Sequence, residues 1–77
     1  MFYTYVLRCC DGDLYIGYSN NLRRRILEHV GGKVDATRPR LPVTLIYYEA
    51  CLSREGALAR EKYFKTGFGR RFLKSRI

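Results

Sequence analysis

A strand–turn–strand pattern at the start of the chain constrains the possible folds more than any other feature. Residues 2–9 are mostly β-branched and aromatic, which is the composition of a β-strand. Asp11-Gly12 is a turn signal, and residues 14–18 have the composition of a returning strand. We therefore predict that the chain begins with an antiparallel hairpin.

The middle of the chain predicts a helix, a loop and a third strand. Side chains that can cap a helix occur at 19–21, and they favour a helix over 21–30 that a glycine pair ends. Residues 31–42 contain glycines, prolines and basic residues, which is typical of a loop. The nearly unbroken apolar and aromatic run over 43–50 predicts a central strand that is covered on both faces.

The last third of the chain predicts two more helices. Ser53 can cap a helix that runs to about Lys65, where Thr66-Gly67 ends it. The short basic segment over 69–77 predicts a third helix. The resulting order is β-β-α-β-α-α, an α+β fold in which helices flank a three-stranded antiparallel sheet, in a single domain over 1–77.

The charge balance indicates a polyanionic partner. The chain has 15 Lys and Arg against 7 Asp and Glu, which gives a formal net charge of +8. Such an excess attracts phosphates, nucleic acid or anionic lipid. Charge that serves only solubility is the alternative, and we favour nucleic acid over it.

The cysteines and the hydropathy pattern exclude several other classes. The chain has an odd number of cysteines, and their spacing does not suit a metal site. We therefore predict that Cys9, Cys10 and Cys51 are reduced structural thiols. No apolar run approaches the ~20 residues of a membrane span, and no signal-peptide pattern opens the chain. We expect a cytoplasmic protein that does not enter a membrane.

Glu61 is the first of three features that a purely structural account leaves open. Ala57, Leu58 and Phe64 define the predicted buried stripe of the second helix, and Glu61 falls within this stripe. A carboxylate on an inward face is costly unless it has a partner or binds a cation. A salt bridge with Lys65 and a cation site both remain open.

Arg25 and His29 form the second feature. Helical periodicity places both at the border of an apolar stripe, Leu22–Ile26–Val30, on the first helix. Their side chains could reach a phosphate held in a cleft beside the helix. The alternative is a solvated basic face, with His29 capping carbonyls at the helix end.

Tyrosines in the predicted hairpin form the third feature. Tyr3, Tyr5, Tyr15 and Tyr18 all lie there. Tyrosines commonly fill the exposed faces of strands, which is the structural alternative. A phenol can also exchange a proton with water or position a nucleophile.

Taken in order along the chain, these residues resemble the GIY-YIG nuclease family. Tyr3-Thr4-Tyr5 corresponds to the first motif, with Tyr-Thr in place of Gly-Ile, and Tyr15-Ile16-Gly17 corresponds to the second. Arg25, His29 and Glu61 follow in the order of the family. The resemblance spans nearly the whole chain and is to small stand-alone bacterial members.

The resemblance implies a role for each of five residues. Tyr5 would be the general base or would orient the attacking water, and Tyr15 would lie beside it. Arg25 would bind the scissile phosphate, and His29 would assist near the phosphate or the first tyrosine. Glu61 would hold a single divalent metal ion, Mg²⁺ or Mn²⁺.

This implied site depends on the length of the hairpin loop. A two-residue loop at Asp11-Gly12 would place Tyr5 and Tyr15 on opposite faces of the sheet. A three-residue loop over 10–12 pairs Tyr5 with Gly17, puts both tyrosines on one face and uses its glycine at a left-handed position. We predict the three-residue loop. The resemblance further implies that Gly17 allows a close backbone approach at the site.

The expected function is a metal-dependent DNA endonuclease that prefers single-stranded or branched DNA and serves repair or recombination. The basic side chains of 61–77 and of the 33–40 loop are assigned to phosphate contacts. Residues 62–77 lack the late asparagine of many relatives, and the alternative is a binding module with the same fold and no turnover. An interaction protein without nucleic-acid affinity is a third possibility, and no protein partner is implied.

Overall fold

The computed structural model describes residues 1–77 and contains the predicted order of three strands and three α-helices. The α+β class, the three-stranded antiparallel sheet and the order β-β-α-β-α-α are confirmed. None of the helices has the length and apolarity needed to cross a bilayer. The elements are β1 (Phe2–Arg8), β2 (Leu14–Ser19), α1 (Leu22–Val30), a 3-10 turn (Arg38–Arg40), β3 (Thr44–Cys51), α2 (Arg54–Phe64) and α3 (Gly67–Lys74).

The strand order in the sheet is β2-β1-β3, so the first strand is the central one. The prediction that the third strand is central and covered on both faces is wrong. Thr44 and Ala50 are exposed, and Tyr48 retains 52% of its accessible surface. The prediction failed because tyrosine and alanine tolerate partial exposure. An apolar and aromatic run therefore does not require burial on both faces of the sheet.

The central strand supplies residues to two core clusters, one on each face of the sheet. Because successive residues point to opposite faces, Tyr5 and Leu7 enter one cluster and Val6 enters the other. Helix α1 packs on the Tyr5 face through Leu22 and Ile26. Helices α2 and α3 pack on the opposite face, where the buried residues are Val6, Ile16, Phe64 and Leu73.

The predicted inner stripe of α1 is wrong at one position. Val30 is 55% exposed, and His29 is fully buried in its place. Residue 29 lies seven positions after Leu22, which returns it almost to the same helix face, whereas residue 30 is rotated a further 100°. A prediction based on hydrophobicity alone therefore chose Val30 as the buried residue instead of the adjacent His29.

The predicted stripe of α2 contains a similar error. Ala57 and Phe64 are fully buried, but Leu58 is 39% exposed because it lies 100° around the helix from Ala57. Arg60 is partly buried instead. Its guanidinium forms two hydrogen bonds to Glu49 of 2.8 and 2.9 Å and lies 4.7 Å from the ring centroid of Phe64.

Helix boundaries follow the capping side chains. The side chain of Asn21 accepts a hydrogen bond from the backbone of α1, and Ser53 does the same for α2, as predicted. Thr66 was expected to end the second helix and instead caps α3, which begins at Gly67 rather than residue 69. A Thr-Gly pair can serve as either signal, and here two residues, Lys65 and Thr66, separate the two helices.

The three cysteines are free thiols in different surroundings. Cys9 is buried in the core on the Tyr5 face, whereas Cys10 is exposed in the hairpin loop and Cys51 is half-buried. Burial raises the pKa of the Cys9 thiol, which keeps it protonated and unreactive at neutral pH.

Replacing Leu73 tests whether α3 is docked on the sheet. Leu73→Ala removes a fully buried side chain and should lower the free energy of unfolding by about 2–5 kcal/mol. Leu52→Ala is the control, because Leu52 is 88% exposed and its truncation should change stability by less than about 0.5 kcal/mol. Urea denaturation measures both, and equal stabilities of the two variants would contradict this packing.

Candidate functional site

The hairpin loop places the two motif tyrosines on one face of the sheet. Residues 10–12 form the loop, and the strand register sets Tyr5 opposite Gly17, as predicted. Gly12 adopts a φ of 84°, the left-handed conformation that this loop requires. The rings of Tyr5 and Tyr15 have centroids 6.5 Å apart on the face covered by α1.

Gly17 leaves the space that the Tyr5 phenol occupies. A Cβ atom at this position would overlap the Cζ and hydroxyl oxygen of Tyr5. The group that closely approaches the backbone of Gly17, as predicted, is therefore the Tyr5 side chain of the protein itself. The second motif in this way fixes the position of the last residue of the first motif.

His29 joins the tyrosine pair from α1. Its ring centroid lies 5.5 Å from that of Tyr5 and 5.2 Å from that of Tyr15. Its Nε2 atom is 2.7 Å from the Tyr5 hydroxyl, and its Nδ1 atom is 2.8 Å from the hydroxyl of Thr37. Both ring nitrogens are thus bonded to side chains rather than to carbonyls at the helix end.

Burial keeps both partners of the Tyr5–His29 hydrogen bond uncharged at neutral pH. It lowers the pKa of His29, and the nearby positive charge of Arg25 lowers it further, with Glu28 opposing. Burial also raises the pKa of Tyr5, an effect that Arg25 opposes and Tyr15 reinforces. The pair therefore consists of a neutral phenol and a neutral imidazole.

Arg25 lies at the border of α1, beside the Tyr5 hydroxyl. Its side chain is 36% exposed and forms a salt bridge of 3.1 Å with Glu28 one turn later. Together with Arg24 and Arg54, Arg25 lines a groove at the C-terminal end of β2, and Tyr18 also lines this groove. A cation that is half-exposed in such a groove can contact an anion from solution.

Glu61 approaches the site from the other layer of the fold. It lies on α2, yet it lines a groove at β2 together with Tyr15, Lys65 and Arg70. Its carboxylate accepts a hydrogen bond of 3.2 Å from Lys65, which is the salt bridge that the sequence left open. The side chain is 23% exposed, so it lies at the rim and not on the inward face.

The donor set around Glu61 suits a hard, hydrated cation. No three His, Cys, Asp or Glu side chains lie close enough together to hold a metal ion. Zinc sites normally need three or four protein ligands. Mg²⁺ keeps several of its waters and accepts one or two carboxylates together with substrate phosphates, so the single carboxylate of Glu61 in an open groove fits this ion.

The other two hairpin tyrosines do not join the site. Tyr18 stacks against Phe2 on the opposite face of the sheet, with ring centroids 6.4 Å apart. Tyr3 contacts Tyr48 edge to face at 6.3 Å. These two tyrosines fill strand faces, as the structural alternative expected.

Thr37 is a site residue that the sequence did not reveal. It is fully buried, and its hydroxyl bonds to His29 from the loop between α1 and β3. It lies eight positions after His29 in a segment without helical or strand periodicity. No local pattern marks it, because only the tertiary path of the loop brings it to the imidazole.

Comparison with known proteins assigns the family. Residues 1–74 match the GIY-YIG catalytic domain. The chain belongs to the GIY-YIG family. Because this family comprises endonucleases, the chain carries a nuclease-type domain, and the expected class of substrate is nucleic acid.

Several small proteins are similar along most of this chain. A UPF0213 protein of Streptococcus pyogenes is 48% identical over 64 residues, which cover 82% of this chain and 70% of the relative. A UPF0213 protein of Bacillus pumilus is 46% identical over 65 residues, 83% of this chain and 66% of the relative. The solution NMR structure of a UPF0213 protein from Bacillus halodurans superposes with a TM-score of 0.61 at 37% identity, over 97% of this chain and 84% of that one.

The single histidine of the chain allows a direct test of the electrostatics at the site. A ¹H NMR titration of the His29 ring should give a pKa below its ordinary value near 6.5. The unfolded chain then binds this proton at a higher pH than the folded chain does. Stability should therefore fall as the pH is lowered through about 6.5 towards the folded-state pKa.

Urea denaturation at neutral and mildly acidic pH measures this dependence. His29→Gln is the control, since it removes the titrating group and should flatten the stability profile in this range. A His29 pKa at or above 6.5 in the folded protein would contradict the buried neutral imidazole.

Proposed function

We propose that this chain is a metal-dependent endonuclease that hydrolyses phosphodiester bonds in DNA. The observation that carries the proposal is the convergence of the buried Tyr5 and His29 with the half-buried Tyr15 in one cluster, with Arg25 beside it and Glu61 at the adjoining groove. A proton-accepting group, a phosphate-binding cation and a metal-binding carboxylate are the parts that phosphodiester hydrolysis needs.

Tyr5 is the proposed general base. In its ionised form it takes a proton from the attacking water, whose oxygen forms a new bond to phosphorus. The bond between phosphorus and the leaving oxygen then breaks, and its electron pair stays on that oxygen. Because burial raises the pKa of Tyr5, only a small fraction is ionised at neutral pH, but each ionised molecule is a strong base.

Access to Tyr5 requires a local movement, since the residue is only 1% exposed. Arg25 is the charged neighbour that can move, because its side chain is half-exposed and its partner Glu28 lies on the same helix. We propose that the guanidinium exchanges Glu28 for the scissile phosphate. In that position it stabilises the charge that develops on the non-bridging oxygens.

Tyr15 is the proposed water-holding group. It is half-buried, and it lines the groove that also contains Glu61. Its phenol can hydrogen-bond a water molecule in that groove while its ring contacts Tyr5 and His29. In the proposed mechanism this water lies between the proposed base and the solvent.

Glu61 is the proposed metal-binding residue. Binding requires that its carboxylate leave Lys65, a pairing between partly exposed groups that contributes little stability. Glu61 would hold the divalent ion, which would supply positive charge to offset the negative charge on the phosphate and the leaving oxygen. Mg²⁺ is the expected ion, and Mn²⁺ shares its preference for hard oxygen ligands.

Basic side chains follow the open edge of β2 on both sides of the site. Arg24 and Arg54 lie near one end, and Lys65 and Arg70 near the other. The six residues of β2 span about 20 Å, enough for a few nucleotides of one strand. We therefore propose a single-stranded or branched DNA substrate that is bound through its backbone rather than read by sequence.

The 33–40 loop contributes less to this path than the sequence suggests. Arg38 pairs with Asp35 at 2.9 Å, and Arg40 lies 3.4 Å from Asp13. These neighbouring carboxylates offset much of the positive charge of the loop. The proposed strand path therefore depends on the helices and on β2.

Three substitutions test the chemistry. Tyr5→Phe, Arg25→Ala and Glu61→Gln should each lower the cleavage rate at least about 100-fold, because each removes a group that acts on the reacting atoms. The assay uses end-labelled single-stranded, duplex and flap DNA with Mg²⁺, with Mn²⁺ and with chelator. Matched controls are Tyr48→Phe, Arg23→Ala and Glu55→Gln, which alter exposed residues of the same types away from the site.

The expected result is metal-dependent cleavage of single-stranded or flap DNA by the wild type and by the three controls. Cleavage that survives chelator and Glu61→Gln would contradict the metal-dependent mechanism. Binding without cleavage under every condition would favour the nucleic-acid-binding module over the enzyme.

The proposed role of Tyr5 also predicts a pH dependence. Since its pKa is raised, its ionised fraction should increase about tenfold per pH unit from about pH 6.5 to pH 9. The single-turnover cleavage rate should rise in parallel, and the residual rate of Tyr5→Phe should not. A wild-type rate that is flat across this range would exclude ionised Tyr5 as the base.

A further inference from the structure

The groove beside Arg25 at the C-terminal end of β2 contains two aromatic rings that the proposed chemistry does not use. Phe2 and Tyr18 line it from neighbouring strands, on the face of the sheet opposite α1. Their rings are nearly parallel, with 8° between the planes and 6.4 Å between the centroids. Both residues are half-buried, yet neither ring belongs to the two core clusters or packs against them. Packing of the core therefore does not account for this pair.

Cationic side chains surround the two rings. Arg24 and Arg54 line the groove together with Arg25, and both are exposed and form no salt bridge. Glu28 is the one acidic residue of the lining, and it is paired with Arg25 at 3.1 Å. The groove has a volume of about 450 Å³, within the range of about 300–1,000 Å³ of small-molecule sites. It thus offers unpaired positive charge beside aromatic rings.

This combination fits a ligand that is anionic at one end and flat and aromatic at the other. A nucleotide has both parts, because its phosphate contacts arginines and its base stacks on aromatic side chains. A free phosphate or an acidic peptide would use the arginines alone and would leave the two rings without a partner. The lining therefore favours a nucleotide.

We propose that Phe2 and Tyr18 form a stacking platform for one base of a single strand, next to the scissile phosphate. The proposal rests on the proposed function, in which Arg25 binds that phosphate. Because Arg25 lines the same groove, the nucleotide that follows the phosphate lies over the rings. Tyr18 is also only two residues along β2 from Ile16, which lines the Glu61 groove, a rise of about 7 Å. One strand of nucleic acid can therefore occupy both grooves.

Such a platform distinguishes single strands from duplexes. A base within a duplex is already stacked and paired, so it must leave its stack before it can lie on a protein ring. A base of a single strand or of a flap is free to turn onto the ring. Stacking is tolerant of base identity, so the Phe2–Tyr18 platform selects the state of the strand and not its sequence.

Binding to a strand without bases tests the platform. In the presence of chelator, which prevents metal-dependent cleavage, the wild type should bind a short oligothymidylate about 10-fold more tightly than the same backbone with stable abasic residues. The double variant Phe2→Leu/Tyr18→Leu keeps apolar side chains and removes both rings, so it should bind the two strands equally. Tyr18→Phe keeps the ring and should retain the difference.

The other aromatic pair of the sheet provides a matched control. Tyr3 and Tyr48 contact each other edge to face at 6.3 Å and lie outside this groove. The double variant Tyr3→Leu/Tyr48→Leu should therefore retain the preference for the strand that carries bases. Loss of the preference in this control, with retention in Phe2→Leu/Tyr18→Leu, would place the stacking elsewhere and overturn the inference.

Arg24→Ala separates charge from stacking. Both strands carry the same phosphates, so this substitution should weaken the binding of both by the same factor and reduce its salt dependence. The ratio of the two affinities should not change. A selective loss of affinity for the strand that carries bases would contradict the assignment of Arg24 to phosphate.

A measurement on the wild type avoids any effect of the substitutions on folding. In NMR spectra of the complex with oligothymidylate, base protons should show nuclear Overhauser contacts with the rings of Phe2 and Tyr18. Urea denaturation verifies that each double variant is folded. If Phe2→Leu/Tyr18→Leu unfolds, these contacts and the affinity ratio of the wild type still decide the question.

The outcomes separate this inference from the proposed function. Equal affinity of the wild type for the two strands would overturn the platform, even in a protein that cleaves DNA. A preference that survives the loss of both rings would overturn it as well. Base-dependent binding on Phe2 and Tyr18 in a protein that cleaves no DNA would leave the platform intact and refute the nuclease mechanism.

Discussion

The hydrogen bond between the Tyr5 hydroxyl and His29 connects the three parts of the chain that make up one side of the site. Tyr5 comes from the central strand, His29 comes from α1, and Thr37 adds the following loop through the other ring nitrogen. All three side chains are essentially inaccessible to solvent. Because buried polar groups without partners are costly, this chain of bonds favours the observed packing of the sheet, the helix and the loop.

The position of β2 at the edge of the sheet brings the two layers of the fold to one place. Tyr15 projects towards the α1 layer, whereas Glu61 belongs to α2 on the opposite layer, and both reach the groove beside β2. If β2 were a central strand, it would have a neighbouring strand on each side, and these strands would keep the two groups apart. The edge also leaves the groove open to a ligand as long as a nucleic-acid strand.

The sequence predicted this fold well where local chemistry decides it, and less well where burial does. The Asp11-Gly12 signal and the two tyrosine motifs were enough to predict the loop length and the pairing of Tyr5 with Gly17. The inner face of α1 was predicted incorrectly, because a buried histidine is preferred there over Val30 and only its bonds to Tyr5 and Thr37 explain why.

Thr37 marks the limit of prediction from sequence. Its contact with His29 depends on how the loop folds back over α1, and no spacing rule links the two positions. The place of the third strand at the edge of the sheet was likewise invisible, since strand order depends on which neighbours cover each face. Local patterns specify elements, whereas the site depends on how those elements meet.

The charged residues of the proposed site are held differently from its buried polar chain. Arg25 pairs with Glu28 and Glu61 pairs with Lys65, each with a partner one turn away on its own helix. Ion pairs of this kind, between partly exposed groups, contribute about 0.3–0.5 kcal/mol, so a phosphate or a metal ion can replace either partner at little cost. The tyrosine, histidine and threonine are instead fixed by burial. The fold thus combines a rigid centre, which orients Tyr5, with exchangeable cations and carboxylates at the rim, where a charged substrate would bind.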